Sequence, residues 1–270
     1  MLSAFEKHVY FKNDLVRAAH GLTLVEKRLL MLAISKLDSK QPVSVGGMTV
    51  KINVSEFASV FGVTAGSTYS DIRLATEQLM DRYIRFTSPD GKQETRMQWV
   101  GRATYEKGAG TVEVAFWHEL APMLFELEKH FTGYKLSRAG GLRSVYSWRL
   151  FELIMQFKKT GILKIELSEF MNIMECPDSY KKDFSLLRVR VIEHAIKEIR
   201  VQDGLKITWK PIKTSRKVTA LEFRFPVEPQ HELFKSDVID KAFIEKHARP
   251  GESYAQAEKR LKEEAKKQTD

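Results

Sequence analysis

The feature that most constrains this chain is an internal duplication. Ser55-Glu56-Phe57 recurs as Ser168-Glu169-Phe170, 113 residues on, and each copy stands between one long helical pattern upstream and another downstream. The flanks extend the match. Thr23 opens an apolar run containing Arg28, Leu29, Leu30 and Leu32, and Ser144 opens another containing Arg149, Leu150, Phe151 and Leu153, 121 residues on. The two offsets differ by eight residues, which fall in the loop Asp38 to Gly47, rich in Ser, Pro and Gly, where added length costs little closure entropy. A fixed-offset repeat of this kind calls for one supersecondary unit used twice.

Periodicity and punctuation give the same order of elements in each copy. In the first, helices are expected over Thr23 to Leu37, from Ser55 to about Gly62, and over Tyr69 to Tyr83, with a short strand, Thr49 to Ile52, after the first. Ile72, Ala75, Leu79 and Tyr83 form the third helix's apolar stripe at spacings of three and four. Strands follow over Ile84 to Ser88 and Gln93 to Thr104, around the hairpin signal Pro89-Asp90-Gly91-Lys92, and over Thr111 to Trp117 after the turn Lys107-Gly108-Ala109-Gly110. In the second copy the helices are Ser144 to Lys159, Ser168 to Met174 and about Lys181 to Arg200, with strand Ile162 to Glu166 after the first. Gly204 ends the last helix, and strands Leu205 to Ile212 and Val218 to Pro226 enclose the loop Lys213 to Lys217. Three helices and a hairpin, twice, predict an α+β chain of two tandem winged-helix domains, with a first domain over 1–132, a second over 133–230 and a polar tail over 231–270. Such a fold raises the expectation of DNA binding, because a helix-turn-helix presents its later helix to the major groove.

The distribution of charge agrees. Residues 1–132 hold 16 Lys or Arg against 15 Asp or Glu, residues 133–230 hold 19 against 11, and residues 231–270 hold 9 against 9. Nearly all of the net charge of +9 therefore sits on the second domain, as phosphate binding requires and as uniform solubilisation does not. No apolar run is long enough for a membrane span, and the N-terminal stretch mixes charged with apolar residues, so a cytoplasmic location is expected. The single Cys176 is expected to be a buried small hydrophobe.

Leu22-Thr23-Leu24-Val25-Glu26-Lys27-Arg28-Leu29-Leu30-Met31-Leu32-Ala33-Ile34-Ser35 resembles the opening helix of plasmid replication initiators that bind iterons, and the block Tyr180 to Arg200 resembles the recognition segment of their second domain. The similarity runs over about residues 10–226. What the resemblance implies is a protein that binds directly repeated origin sites, helps open an adjacent AT-rich segment and recruits the host replicative helicase with the host initiator protein. It also implies control of copy number, repression of its own promoter as a dimer, and no enzymatic activity. The first domain would then mediate dimerisation and touch DNA secondarily, while the second reads sequence.

On the second domain's third helix, Phe184, Leu187, Val191, Ala195 and Ile199 form the stripe expected to be buried. The outward candidates are Lys182, Ser185, Leu186, Val189 and Arg190. Leu186 and Val189 either meet thymine methyl groups or pack on a neighbouring element, and Arg190 can reach a guanine edge. Arg188 falls inside the apolar stripe, so either the helix is irregular there or its start projects beyond the core, and Arg188 is a candidate for base or phosphate contact. Lys213, Ser215, Arg216 and Lys217 on the wing, with Tyr180 and Lys181 ahead of the helix, are candidates for phosphate contact. Ser67, Thr68, Tyr69 and Arg73 are the matching positions of the first domain, where backbone contact or none is expected. A homodimer interface is expected on the apolar strand positions Met97, Trp99, Val112, Val114 and Phe116.

Catalytic patterns are absent. His118-Glu119 lacks the histidine that a zinc-protease helix needs, Pro122 standing in its place, and the seven histidines include no pair separated by one residue. Gly91-Lys92 lacks the upstream glycine of a phosphate-binding loop, since Phe86 stands there. No metal or cofactor is expected, and Asp183 and Glu193 are expected to serve capping or helix charge balance.

Overall fold

The computed structural model describes residues 7–44, 46–88, 92–106, 110–228 and 252–267, without the side chains of 65–68 and 261–267. Its elements begin with β1 (His8–Lys12), α1 (Asn13–Arg17), α2 (Leu24–Ile34), β2 (Thr49–Asn53), α3 (Val54–Phe61) and α4 (Ala65–Leu79). Then come β3 (Tyr83–Thr87), β4 (Glu94–Gln98), β5 (Val100–Glu106), β6 (Thr111–Phe116), a 3-10 turn (His118–Leu120) and α5 (Ala121–Leu124). The second half holds β7 (Phe131–Lys135), α6 (Leu136–Gly140), α7 (Val145–Gln156), β8 (Ile162–Glu166), α8 (Leu167–Ile173), α9 (Asp178–Lys182), α10 (Phe184–Leu187), a π turn (Arg188–Glu193), α11 (His194–Asp203), β9 (Thr208–Thr214) and β10 (Lys217–Arg224). Residues 231–270 form a separate unit carrying α12 (Tyr254–Lys267), whose start has the reciprocal Ser253 and Gln256 hydrogen bonds of a capping box.

The duplication is structural. Each unit places three helices against a three-stranded antiparallel sheet, ordered β2-β6-β5 in the first and β8-β10-β9 in the second, and the two units are winged-helix domains. Local chemistry sets the element ends. Thr23 accepts from the Glu26 amide and Glu26 accepts from the Thr23 amide, closing a capping box on α2. Gly62 and Gly204 take left-handed conformations, φ 61° and 76°, as the C-caps of α3 and α11, where a side chain would be strained.

The core runs through both units. α2 is buried from Glu26 to Ile34 because elements of both halves surround it, which explains why a helix with three consecutive charged residues, Glu26-Lys27-Arg28, lies inside. Each charge is answered: Glu26 takes a bidentate pair from Arg82, Lys27 pairs with Glu152 of α7, and Arg28 donates to the Leu142 carbonyl at 3.1 Å. Arg149 of α7 is the counterpart of Arg28 in the duplication. It donates to the Ala18 carbonyl at 2.5 Å, just ahead of α2, so equivalent arginines reach into the opposite halves.

Several expectations are corrected. Tyr83 is an exposed strand residue, since α4 stops at Leu79. The strand expected over Gln93 to Thr104 is two, β4 paired with β3 and β5 paired with β6, divided at the buried Trp99. The boundary at 132/133 falls inside β7, which pairs antiparallel with β1 from His8↔Lys135 to Lys12↔Phe131. β9 starts at Thr208, three residues later than expected at Leu205. The loops at 89–91 and 107–109 lie outside the described residues. Among the described residues no helix is long and apolar enough to cross a membrane.

Candidate nucleic-acid interface

The site begins at a break. Asp183 is extended, φ −125° and ψ 102°, which separates α9 from α10, and its carboxylate accepts from the amides of Ser185 at 2.8 Å and Leu186 at 3.4 Å. The third helix therefore starts at Phe184 and not at Lys181, with Asp183 as the cap its residue type suggested. Leu187, Val191, Ile192, Ala195 and Ile199 are buried, while Phe184 is only half-buried. Arg188 does not enter the core: the helix widens into a π turn over Arg188–Glu193, and Arg188, Val189 and Arg190 all face outward. Leu186 and Val189 are exposed as well, 37% and 46%, and neither joins the hydrophobic core.

The wing follows from β9 and β10. Pro211 occupies edge strand β9, the place in a sheet where a residue without an amide is tolerated. Ser215 turns the hairpin in a left-handed conformation, φ 58°. Lys213, Ser215, Arg216 and Lys217 are exposed around that turn. On the sheet's outer face Glu222 is covered by Arg224 at 2.7 Å, Lys210 at 3.3 Å and Lys164 at 3.5 Å. The hydrogen bond from Arg224, with that from Lys210, outweighs desolvation and holds its carboxyl down to about 2.

Helix and wing enclose one cleft of about 470 Å³, walled by Phe184, Trp209, Pro211 and Val218 and carrying Arg188, Glu193, Lys213 and Arg216. The structure thus brings together Arg188, Lys213 and Arg216, three of the candidates. Ser215 and Lys217 stay at the wing turn, Ser185 and Leu186 on the exposed start of the third helix, Val189 and Arg190 on its π turn, and Lys182 is exposed at the end of α9, across the break at Asp183. Tyr180 packs its ring on the core and Lys181 pairs with Asp178 at 3.3 Å. A protruding helix start beside flexible cations suits a groove with phosphates along its rims. Glu193 and the ring pair Phe184 and Trp209, centroids 6.5 Å apart, belong to the cleft and were not singled out for it from sequence. The clash of Arg188 with the apolar stripe was the signal that could have found Glu193.

The first domain's matching positions are differently placed. Arg73 pairs with Glu77 at 3.0 Å and lies over the Tyr105 ring at 5.7 Å, while Tyr69 is partly buried against the core. The side chains of Ser67 and Thr68 lie outside the described residues. A feature missed from sequence is the direct pairing of Arg85 with Arg96 across the β3-β4 hairpin, each held by a carboxylate, Glu175 and Glu94. Trp99, Val112, Val114 and Phe116 are buried in the chain's own core and Met97 is half-buried, so the expectation that these side chains form a homodimer interface is corrected. Alternation marks a covered face without saying what covers it. Among the described residues no cluster suited to a metal ion occurs, and Cys176 is buried with its thiol pushed up to about 11 by burial.

Comparison with known proteins gives a consistent result. Residues 8–155 match the family described as Initiator Replication protein, WH1, and residues 166–225 match the family described as Initiator Rep protein, WH2. The chain is 25% identical over 266 residues to the PI protein of Escherichia coli, covering 86% of each chain. It is 26% identical over 202 residues to an uncharacterized 27.6 kDa protein of Escherichia coli, covering 72% of this chain and 84% of that one. A crystal structure of Pi initiator protein in complex with iteron DNA shares the fold, with a TM-score of 0.70 and 21% identity over 83% of this chain and 98% of that one.

Proposed function

The chain belongs to the initiator replication protein family, through both its WH1 and its WH2 parts, and on that premise we propose that it binds directly repeated DNA sites, iterons, at a plasmid origin. The observation that carries the reading is the cleft where Arg188 of the third helix faces Lys213 and Arg216 of the wing, beside the outward Leu186, Val189 and Arg190. The helix fixes a direction for reading base edges, and the wing supplies mobile cations for phosphate. The similar Pi initiator, seen with iteron DNA, supports the choice of ligand.

In this reading, binding to several repeats in phase helps open the adjacent duplex, and the bound protein recruits the host replicative helicase and initiator protein. It represses its own promoter as a dimer and so limits copy number. It carries out no enzymatic step itself. We place the dimer contact on β5, an edge strand of its sheet, since the sheet's apolar side chains are spent in the core.

Footprinting across the DNA that flanks the coding region tests the reading. Protection of several direct repeats in phase is expected. Protection of one inverted repeat alone would assign a transcriptional regulator instead, and relaxation of supercoiled origin DNA on addition of metal and nucleotide would assign an enzyme.

A further inference from the structure

The third helices of the two domains match residue for residue once a single position is skipped. Ile72, Arg73 and Leu74 correspond to Leu187, Arg188 and Val189, 115 residues on; Ala75, Thr76, Glu77 and Leu79 correspond to Val191, Ile192, Glu193 and Ala195, 116 residues on. Every matched pair agrees in burial: Ile72, Ala75, Thr76 and Leu79 are buried as their counterparts are, and Arg73, Leu74 and Glu77 are exposed as theirs are. The residue left over is Arg190. It is exposed, and it sits inside the π turn, whereas α4 is α-helical throughout.

The ion pair moves with the extra residue. Arg73 Nε lies 3.0 Å from Glu77 Oε1, four residues on, and Arg188 Nε lies 3.6 Å from Glu193 Oε1, five residues on. In an α-helix, residues five apart diverge by about 140° around the axis, which is too far for such a pair. A wider turn absorbs one residue and returns the partners to one face. The buried stripe and the Arg–Glu brace both survive the addition, and the gain is one outward side chain.

We propose that the π turn made by the single extra residue, Arg190, sets which side chains this helix presents for discrimination: it offers Arg188, Val189 and Arg190 as consecutive outward side chains where α4 offers two, and Glu193 is a positioning residue that aims Arg188. The inference rests on the reading that the second domain binds a specific DNA site. Arg190 supplies a bidentate partner for a guanine edge and Val189 an apolar partner for a thymine methyl. Without the turn, the helix would offer the first domain's surface.

The test compares full-length protein with Arg190 deleted, with Arg190→Ala, and with Glu193→Ala and Glu193→Gln, on a cognate direct repeat and a scrambled duplex of equal length. Wild type that fails to discriminate between the two DNAs overturns the functional reading itself, and the inference with it. With wild-type discrimination in hand, Arg190→Ala keeps the turn and loses one contact, so discrimination is expected to fall about ten-fold. Deleting Arg190 returns the helix to the α4 register, so discrimination is expected to vanish while salt-dependent binding to scrambled DNA remains. A deletion protein that discriminates as well as Arg190→Ala overturns the proposal. If the deletion protein does not unfold cooperatively, the Glu193 pair decides. Glu193→Ala is expected to lower discrimination with unchanged melting temperature, Glu193→Gln to restore part of it, and wild-type discrimination by both overturns the proposal.

Discussion

Lys27 Nζ lies 2.8 Å from Glu152 Oε2 with both side chains almost wholly buried, and the pair joins the first helices of the two duplicated units across 125 positions of sequence. Tyr134 donates to the other carboxylate oxygen at 2.8 Å, and Trp148 Nε1 donates to the Tyr134 hydroxyl at 3.1 Å. Burial lowers the Lys27 pKa, and the carboxylate opposes that shift. Glu152→Ala would strand the ammonium and the hydroxyl together, so a loss of about 3–5 kcal/mol is expected. The double substitution Lys27→Met with Glu152→Met should recover most of it, because no buried charge remains. Chemical unfolding of the three proteins measures this, and a single variant no worse than the double counts against it.

His20 gives a pH dependence. Its Nε2 lies 2.8 Å from the Leu15 carbonyl and donates to it, which leaves Nδ1 to accept from Arg149 at 2.7 Å. Burial, then the Arg149 charge, holds its pKa well below 6.5. The folded state therefore stays neutral where the unfolded state takes up a proton. Stability is lost as pH falls below about 6.5, at a rate approaching about 1.4 kcal/mol per pH unit until the folded pKa is reached. Unfolding free energies between about pH 7 and 5 should show that slope, and His20→Asn should flatten it.

Wing and helix should separate by salt. Lys217 is an exposed cation on the wing turn with no fixed direction, so Lys217→Ala is expected to weaken binding about equally on cognate and scrambled DNA. The slope of log affinity against log salt should shrink by about one. A loss confined to the cognate repeat would move base reading onto the wing.

The second domain should not stand alone when cut at 132/133. A fragment of residues 133–229 severs β7, removes its partner β1, and leaves Glu152 without Lys27 and Arg149 without the Ala18 carbonyl. Circular dichroism and cooperative unfolding are expected to show that it is unfolded. A stable fragment with native melting behaviour would show that the two halves are energetically independent.

Much of this architecture is legible in the sequence, because it is written locally. Thr23 and Glu26 announce the start of α2, Gly62 and Gly204 announce helix ends, and the cations from Lys213 to Lys217 lie in a loop between two strand patterns. The β1-β7 ladder is not local, since nothing near His8–Lys12 says that its partner is Phe131–Lys135. Val112, Val114 and Phe116 show the same limit, for alternation reports a covered face and is silent on whether the cover is this chain or another. The π turn is intermediate. A wheel drawn at constant pitch placed Arg188 among buried residues, and that contradiction marked where the pitch changes.

The ladder between β1 and β7 also sets an order of events during synthesis. β1 leaves the ribosome ahead of the other elements described, yet every one of its strand partners lies between Phe131 and Lys135, so it spends the making of the first domain as an unpaired edge. Lys27 likewise waits for Glu152 before its charge is answered. The first winged helix is thus translated ahead of the second yet cannot be finished without it: its last strand partner and its buried counter-ion both arrive with the opening residues of the second.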